Sequence, residues 1–303
     1  MAVDRTTGKS TVLAGATTAG CIDAPVGADA RFSSDADYPV LVAGSDGTYI
    51  YITDACGLRR VDPATGATST ITSDRYLSIS IAGQKLYAWG HAGYRDMLYT
   101  WDLTTGTILH WASPPGGIWG AVAIAADNTS VWIVGGNGDS LYRLNPVTSE
   151  TTRVGTPPLG WAPTRTLLSV GDYLYTTLGT QAFPDARTRL IRISKSDGSA
   201  ELIAGQQTAG DADGLYADAQ FSNITGIASD GTDIFVADSA DASGSVRQLK
   251  KAKLPVDNGG PSLWRETAGG YNPSLSAPCV AACHADPVQT DTGALFEPAT
   301  DAP

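Results

Sequence analysis

The sequence predicts an all-β fold built from a repeated unit of four antiparallel strands. The chain has 303 residues, and its 34 glycines and 17 prolines suit many short strands joined by turns. An aliphatic residue followed by an aromatic one recurs at intervals of roughly 40 residues, which is the period of propeller blades. These pairs are Ile50-Tyr51, Leu86-Tyr87, Val131-Trp132, Leu174-Tyr175 and Ile234-Phe235.

Each pair marks the second strand of a unit. A short apolar run precedes it and suits the crowded innermost strand, while a third strand follows and ends in a polar turn such as Pro63 to Gly66. Asp and Asn bond their own backbone and Gly tolerates positive φ, so these turns predict hairpins. A Thr- and Val-rich strand such as Thr68 to Thr72 comes last. We therefore predict a β-propeller of four-stranded antiparallel blades over residues 1–255, with five blades counted.

The fifth unit lacks a fourth strand after Ser245 to Lys250. The N-terminus contains a turn at Val3 to Gly8 and a strand at Ser10 to Ala14. We predict that this N-terminal strand completes the last blade, because closing the ring would bury two sheet edges. The alternative is a ring of six blades with one blade upstream of this chain.

The composition argues against two classes of binding partner, nucleic acid and membranes. The net charge of −11 and the pI near 4.6 argue against nucleic acid and anionic membranes. No run of 18 apolar residues exists, so we predict no membrane insertion. Met1 to Asp4 do not begin a signal peptide, so an exported chain would be a piece of something longer.

The cysteines indicate an oxidising compartment. Their even number fits two disulfides, which favours a secreted or cell-surface protein. Four cysteines allow three connectivities; closeness in sequence favours one pair at each end of the chain, and free buried thiols are the alternative. The expected pairs are Cys21 with Cys56 and Cys279 with Cys283.

Two of the units resemble NHL repeats. The fifth unit reads Ala204-Gly205, Gly210, Asp213-Gly214, Ala219-Gln220-Phe221, Gly226-Ile227-Ala228 and Ile234 to Asp238. The first unit repeats it with Ala14-Gly15, Gly20, Ala30-Arg31-Phe32, Asp46-Gly47 and Tyr51 to Asp54. The resemblance covers about residues 3–250. It implies a propeller, commonly of six blades, that serves as a scaffold for binding protein, RNA or glycan.

Residues 256–303 are predicted to be an irregular linker or tail. The stretch Cys279 to Val288, followed by Thr290 and Thr292-Gly293, resembles the segment that opens the RHS/YD-repeat shell of large bacterial surface and toxin proteins. A propeller followed by such a segment resembles bacterial teneurin-like proteins. This resemblance implies an RHS/YD shell in cis as a partner.

The sequence gives little sign of catalysis. Propeller hydrolases and lyases need acidic, amide or His side chains converging from several inner strands, whereas Ser78 to Ala82 and Ala121 to Ala125 are apolar or hydroxylic. His91 is expected in a loop and His110 in an outer strand, both solvated. We predict no catalytic residue, no metal and no cofactor.

Acidic residues near the strand ends have structural interpretations. Asp54 and Asp238 follow the aromatic strand in the two best repeats, and we expect each to cap a turn rather than to ligate a cation. The run Asp211 to Asp213 is expected to be a solvated surface.

A binding surface is predicted on one face, where loops before the inner strands meet loops after the second strands. Tyr, Trp and Arg are enriched at binding hot spots and suit sugar stacking. The candidates are Arg75, Tyr76, His91, Tyr94, Arg95, Trp119, Trp161 and Tyr216. Alternatively, Trp119 and Trp161 wedge between blades.

The sequence thus predicts a non-catalytic binding and architectural module of a secreted or surface RHS/YD-repeat protein. Its expected partner is a protein, either the shell in cis or another chain, or a glycan. The alternatives are a metal-dependent hydrolase or lyase of the six-bladed type and a carbohydrate-binding propeller.

Overall fold

The computed structural model confirms the predicted fold class. It contains five antiparallel four-stranded blades arranged as a β-propeller. The chain divides after Thr156 into two compact units. The structure describes residues 2–4, 7, 9–33, 41–92, 95–112, 123–135, 140–156, 166–179, 187–231, 233–240, 243–249 and 296–298.

The first unit begins with the strand pair β1 (Ala2–Val3) and β2 (Ser10–Thr11) and then holds three blades. Blade 1 consists of β3 (Leu41–Ser45), β4 (Ile50–Asp54), β5 (Gly57–Val61) and β6 (Thr68–Thr72). Blade 2 consists of β7 (Ser78–Ala82), β8 (Lys85–Ala92), β9 (Arg95–Asp102) and β10 (Thr107–Ala112). Blade 3 consists of β11 (Ala123–Ala126), β12 (Val131–Gly135), β13 (Ser140–Leu144) and β14 (Thr151–Gly155).

The second unit holds two blades. Blade 4 consists of β15 (Leu167–Val170), β16 (Tyr173–Gly179), β17 (Arg187–Ser194) and β18 (Ala200–Gly205). Blade 5 consists of β19 (Ile224–Ser229), β20 (Ile234–Ala240), β21 (Ser243–Leu249) and β22 (Phe296–Pro298). The two helices of the described residues are single 3₁₀ turns, Gly27–Asp29 and Tyr216–Asp218. No helix in this part of the chain is both long and apolar enough to cross a membrane.

The fourth strand of blade 5 corrects the predicted closure. Strand β22 pairs with β21, with Glu297 opposite Gln248, so a piece of the predicted tail belongs to the blade. Strand β2 pairs instead with β1, and the amide of Asp4 donates to the carbonyl of Lys9 at 2.9 Å across the turn between them. The N-terminal closure was therefore wrong. The N-terminal residues pair locally instead, where the loop to close is short.

Serine hydroxyls connect the innermost strands of blades 2 and 3. The amides of Ile124 and Ala126 on β11 donate to the hydroxyls of Ser78 and Ser80 on β7, at 3.1 and 2.9 Å. Strand β11 is the first strand of its sheet, so these serines satisfy edge amides that would otherwise lack a partner. The hydroxylic character of β7 thus has a structural cause.

A ladder of paired side chains repeats in every blade. The aromatic residue of the second strand always lies opposite a polar residue of the third: Tyr51 and Arg60, Tyr87 and Thr100, Trp132 and Arg143, Tyr175 and Arg192, Phe235 and Gln248. In blades 1, 3 and 4 the arginine guanidinium also stacks on an aromatic ring, at 4.7, 5.9 and 4.3 Å from the centroid. The recurring register shows that the five blades are structurally equivalent.

Candidate functional site

The first repeat buries an arginine beneath the loop that leads into blade 1. Arg59 on β5 is 0% exposed, and its Nη2 donates to Asp23 Oδ1 at 2.8 Å. Its Nη1 lies 3.4 Å from Asp54 Oδ2, and the guanidinium stacks 4.6 Å from the centroid of Phe32. Two carbonyls of the loop also accept from it, at 2.6 and 2.7 Å. Arg59, Asp23, Asp54 and Phe32 form what we call the first arginine cluster.

The fifth repeat builds the same arrangement on another strand. Arg247 on β21 is 3% exposed, and its Nη2 donates to Asp213 Oδ1 at 2.6 Å. Its Nη1 lies 3.4 Å from Asp238 Oδ2, and its guanidinium stacks 4.7 Å from the centroid of Phe221. The carbonyls of two loop residues accept from it here too. Arg247, Asp213, Asp238 and Phe221 form the second arginine cluster.

The strand-end carboxylates hold the loops as the sequence predicted. Asp54 accepts from the amides of Ser33 and Cys56, at 3.3 and 2.9 Å. Asp238 accepts from the amides at 222 and 223, at 3.0 and 2.8 Å. The predicted capping role is confirmed, and each carboxylate additionally faces a guanidinium that sequence analysis missed.

The prediction that Asp213 is simply solvated is wrong, because it pairs with Arg247 and only 19% of its side chain is exposed. A signal for both clusters was present in the chain. Arg59 and Arg247 follow an aliphatic residue on the third strand in the two units that carry the full NHL-like pattern. A buried guanidinium that engages two carboxylates, two carbonyls and a ring is committed to structure.

A disulfide reinforces the first cluster alone. Cys21 and Cys56 are bonded to each other, with their Cα atoms 5.5 Å apart and a sequence separation of 35. This is the pairing expected from their closeness in the chain. Cys279 and Cys283 lie outside the described residues.

Part of the predicted binding surface is core. Tyr76 is 1% exposed and packs among the buried side chains of blades 1 and 2, so its assignment to an exposed face was wrong. The reason is Gly90: a Cβ there would lie 2.9 Å from the Tyr76 ring, so only a glycine leaves the tyrosine room to turn inward. Burial also raises the pKa of Tyr76 well above its ordinary range.

Other predicted residues converge at one end of blade 2. His91 and Arg95 lie at the hairpin end of β8 and β9, with Ala92 opposite Arg95, so His91 belongs to a strand and not to a loop as predicted. The carbonyl of Arg75, an exposed residue, approaches the neighbouring Gly90. Arg75, His91 and Arg95 therefore share this end, which we call the blade 2 tip.

The remaining candidates do not join this group. Tyr216 is half-buried in the second 3₁₀ turn, packed against the core of blade 5, and burial raises its pKa. Tyr94, Trp119 and Trp161 lie outside the described residues. His110 is on the outer strand β10, as predicted.

Within the part of the chain that the structure describes, no three His, Cys, Asp or Glu side chains are grouped so as to hold a metal ion. The carboxylates that come together in the arginine clusters each face a guanidinium, and those of Asp23, Asp54 and Asp238 also accept from backbone amides. Their chemistry is therefore that of loop anchoring.

Comparisons with known proteins bear on the fold. No family model and no curated protein matches the sequence. Among solved structures, the chain is similar to a protein of unknown function from Bacteroides thetaiotaomicron, with 19% identity, a TM-score of 0.62, and coverage of 80% of this chain and 61% of that one. It is also similar to an auxiliary nutrient binding protein from the same organism, with 16% identity, a TM-score of 0.58, and coverage of 79% and 61%. This chain thus spans about three fifths of the length of each, and the likeness concerns the fold.

Proposed function

We propose that this chain is a non-catalytic binding and architectural module, an NHL-type propeller belonging to a secreted or surface protein of the RHS/YD class. The observation that carries the proposal is the fate of the buried charges. In both arginine clusters the charged side chains form ion pairs with one another and hydrogen bonds with loop backbone. A general acid or base must instead be within hydrogen-bond reach of a substrate.

The compartment and the partner are part of this proposal. The Cys21–Cys56 disulfide supports an oxidising environment, and hence export. The tail segment that resembles an RHS/YD opening supports a shell of that class as the partner. One of the proteins of similar fold is an auxiliary nutrient binding protein, and this supports a binding role for the present chain.

The blade 2 tip is the proposed contact surface. It places the basic residues Arg75 and Arg95 at one end of a protein whose net charge is −11. Strands β8 and β9 pair along eight residue pairs, so the tip rests on a regular hairpin. Arginine is well suited to bind a carboxylate-bearing protein surface.

Biolayer interferometry with a purified RHS/YD-repeat shell tests the proposal. We expect the double variant Arg75→Glu, Arg95→Glu to lower affinity at least about tenfold, because two attractive charges become repulsive. Arg153→Glu, an exposed arginine on β14, is the matched control and should leave binding unchanged.

Absence of shell binding would refute the assigned partner. Hydrolysis of a lactone or aryl ester that depends on added Ca²⁺ would refute the non-catalytic role. The two results are independent of each other.

A further inference from the structure

A cavity opens at the outer edge of blade 1. It lies between residues 23–25 of the N-terminal loop and the ends of β5 and β6, and its volume is about 420 Å³. That size is typical of small-molecule sites. Its lining combines a tyrosine, an arginine, two aspartates and small apolar residues.

Arg60 has a fixed orientation in this cavity. Its Nε donates to Ser69 Oγ at 3.0 Å, and its guanidinium stacks 4.7 Å from the centroid of Tyr49. These two contacts fix the plane of the guanidinium. Its terminal nitrogens bind no acceptor among the described residues, so this exposed side chain presents a pair of N–H donors to a ligand.

The same ladder position in blade 4 shows what is missing from blade 1. Arg192 lies opposite Glu201 of the outer strand, and the two form an ion pair. In blade 1 the residue opposite Arg60 is Ser69, which cannot neutralise the guanidinium. The cavity is thus lined by an arginine that lacks the carboxylate its counterpart in blade 4 has.

The two aspartates of the lining differ in what they can offer. Both carboxylate oxygens of Asp23 already accept hydrogen bonds, Oδ1 from Arg59 and Oδ2 from the amide of Thr70. Asp62 Oδ1 caps the turn by accepting from the amide of Ala64 at 2.7 Å, and its Oδ2 accepts from no described residue. The cavity therefore offers a pair of donors from Arg60 and one charged acceptor from Asp62.

This combination of donors and acceptor suits a neutral polyhydroxyl ligand. Adjacent sugar hydroxyls can accept from a guanidinium and donate to a carboxylate at the same time. An anionic ligand would gain from Arg60 but would be opposed by Asp62 and by the net charge of −11. Pro25 and Ala67 supply apolar surface for the C–H face of a sugar ring.

We propose that the cavity beside Arg60 binds a neutral saccharide unit. This assignment rests on the proposed binding function and names a ligand class for it. It is independent of the blade 2 tip, so either surface can fail without the other.

Titrations followed by ¹H–¹⁵N NMR test the site with glucose, galactose, mannose and N-acetylglucosamine as probes and glucuronate as the charged comparator. We expect one neutral sugar to shift the amides of Asp23, Ala24 and Ser69. Arg60→Ala should weaken its binding at least about tenfold, the usual range for a hydrogen bond to a charged group.

Arg143→Ala is the matched control. Arg143 also stacks on an aromatic ring and donates its Nε to a serine, Ser130, at 2.8 Å, but it does not line the cavity. A second variant, Asp62→Asn, keeps a turn-capping oxygen and removes the charged acceptor, and it should also weaken binding several-fold.

Tighter binding of glucuronate than of every neutral sugar would overturn the ligand class. Equal losses in Arg60→Ala and Arg143→Ala, or no shift with any probe, would overturn the site. Shell binding that persists in Arg60→Ala would leave the proposed function intact in either case.

Discussion

The first and fifth repeats use the same four kinds of side chain to hold a long loop. In both, an arginine from the third strand lies between a strand-end aspartate and a loop aspartate and stacks on a phenylalanine. They differ in what else holds the loop. The first adds the Cys21–Cys56 disulfide, whereas the fifth has the exposed Asp211 in the place of the loop cysteine.

The two clusters also differ in burial. Asp23 is 43% exposed and Phe32 is half-buried, while Phe221 of the second cluster is fully buried. The second cluster is drier and has no covalent support. We therefore expect Arg247 to contribute more to the free energy of unfolding than Arg59 does, and the following variants measure that difference.

The largest expected effect is that of Arg247→Met. It leaves the buried Asp238 and the half-buried Asp213 without their counter-ion, which typically costs about 3–5 kcal/mol. Arg59→Met should cost about 1–2 kcal/mol less, because Asp23 reaches water and the disulfide still holds the loop. Urea unfolding followed by tryptophan fluorescence gives both values, and equal losses would contradict the ranking.

Removing the disulfide should have the next largest effect. Replacing Cys21 and Cys56 by serine opens a loop of 35 residues and should cost about 2–4 kcal/mol. Combined with Arg59→Met the loss should exceed the sum of the separate losses, because both changes free the same loop. Combined with Arg247→Met it should be additive, since the two sites share no partner; coupling of equal size in both pairs would contradict this account.

Glycines beneath the two phenylalanines sharpen the comparison further. Gly15 and Gly205 have φ of +98° and +94°, so alanine at either should cost about 1–2 kcal/mol in backbone strain. A Cβ at Gly205 would also lie 2.2 Å from the carbonyl oxygen of Thr188, whereas at Gly15 its nearest neighbour is the Phe32 ring at 3.0 Å.

Gly205→Ala should therefore lower Tm more than Gly15→Ala. Gly231→Ala is the control for strain alone, because φ there is +90° and nothing lies within 4 Å of the added carbon. If Gly205→Ala matches Gly231→Ala in a thermal scan, the close approach does not matter to stability.

The smallest expected effect concerns pH. Burial raises the pKa of Asp23, but hydrogen bonds from Arg59 and Thr70 outweigh burial and hold the pKa below its ordinary value. Because the folded pKa is lower than the unfolded one, the contribution is complete above the unfolded pKa and is lost as pH falls below about 4.

Asp23→Asn should accordingly flatten the dependence of the urea midpoint on pH between about 5 and 3. Asp211→Asn, at an exposed position of the corresponding loop, should leave that dependence as it is. Equal flattening in both variants would contradict a specific role for Asp23.

Sequence reasoning succeeded where the signal is local. The aliphatic–aromatic pairs gave the second strand of all five blades, and polar turns such as Asp62 to Gly66 gave the hairpins that follow. It failed at Tyr76, because the space that admits the ring is created by Gly90 on another strand. It also missed Arg59 and Arg247, since a charged side chain on a strand indicates burial only when its partners are known, and those partners lie up to 37 residues away.

The sequence by itself determined the all-β class, the repeated unit and its hairpin turns, because periodicity and turn chemistry are properties of short stretches. It favoured five blades and the Cys21–Cys56 pairing but left a sixth blade and other cysteine states open, and the structure has five blades and that disulfide. Only the tertiary structure decided that β22 completes the last blade while β2 folds back on β1. It also decided which charges are buried and that Arg60 lines a cavity without a carboxylate opposite it. A sheet edge and a buried ion each accept any of several partners, and which one is used depends on the packing of the whole blade.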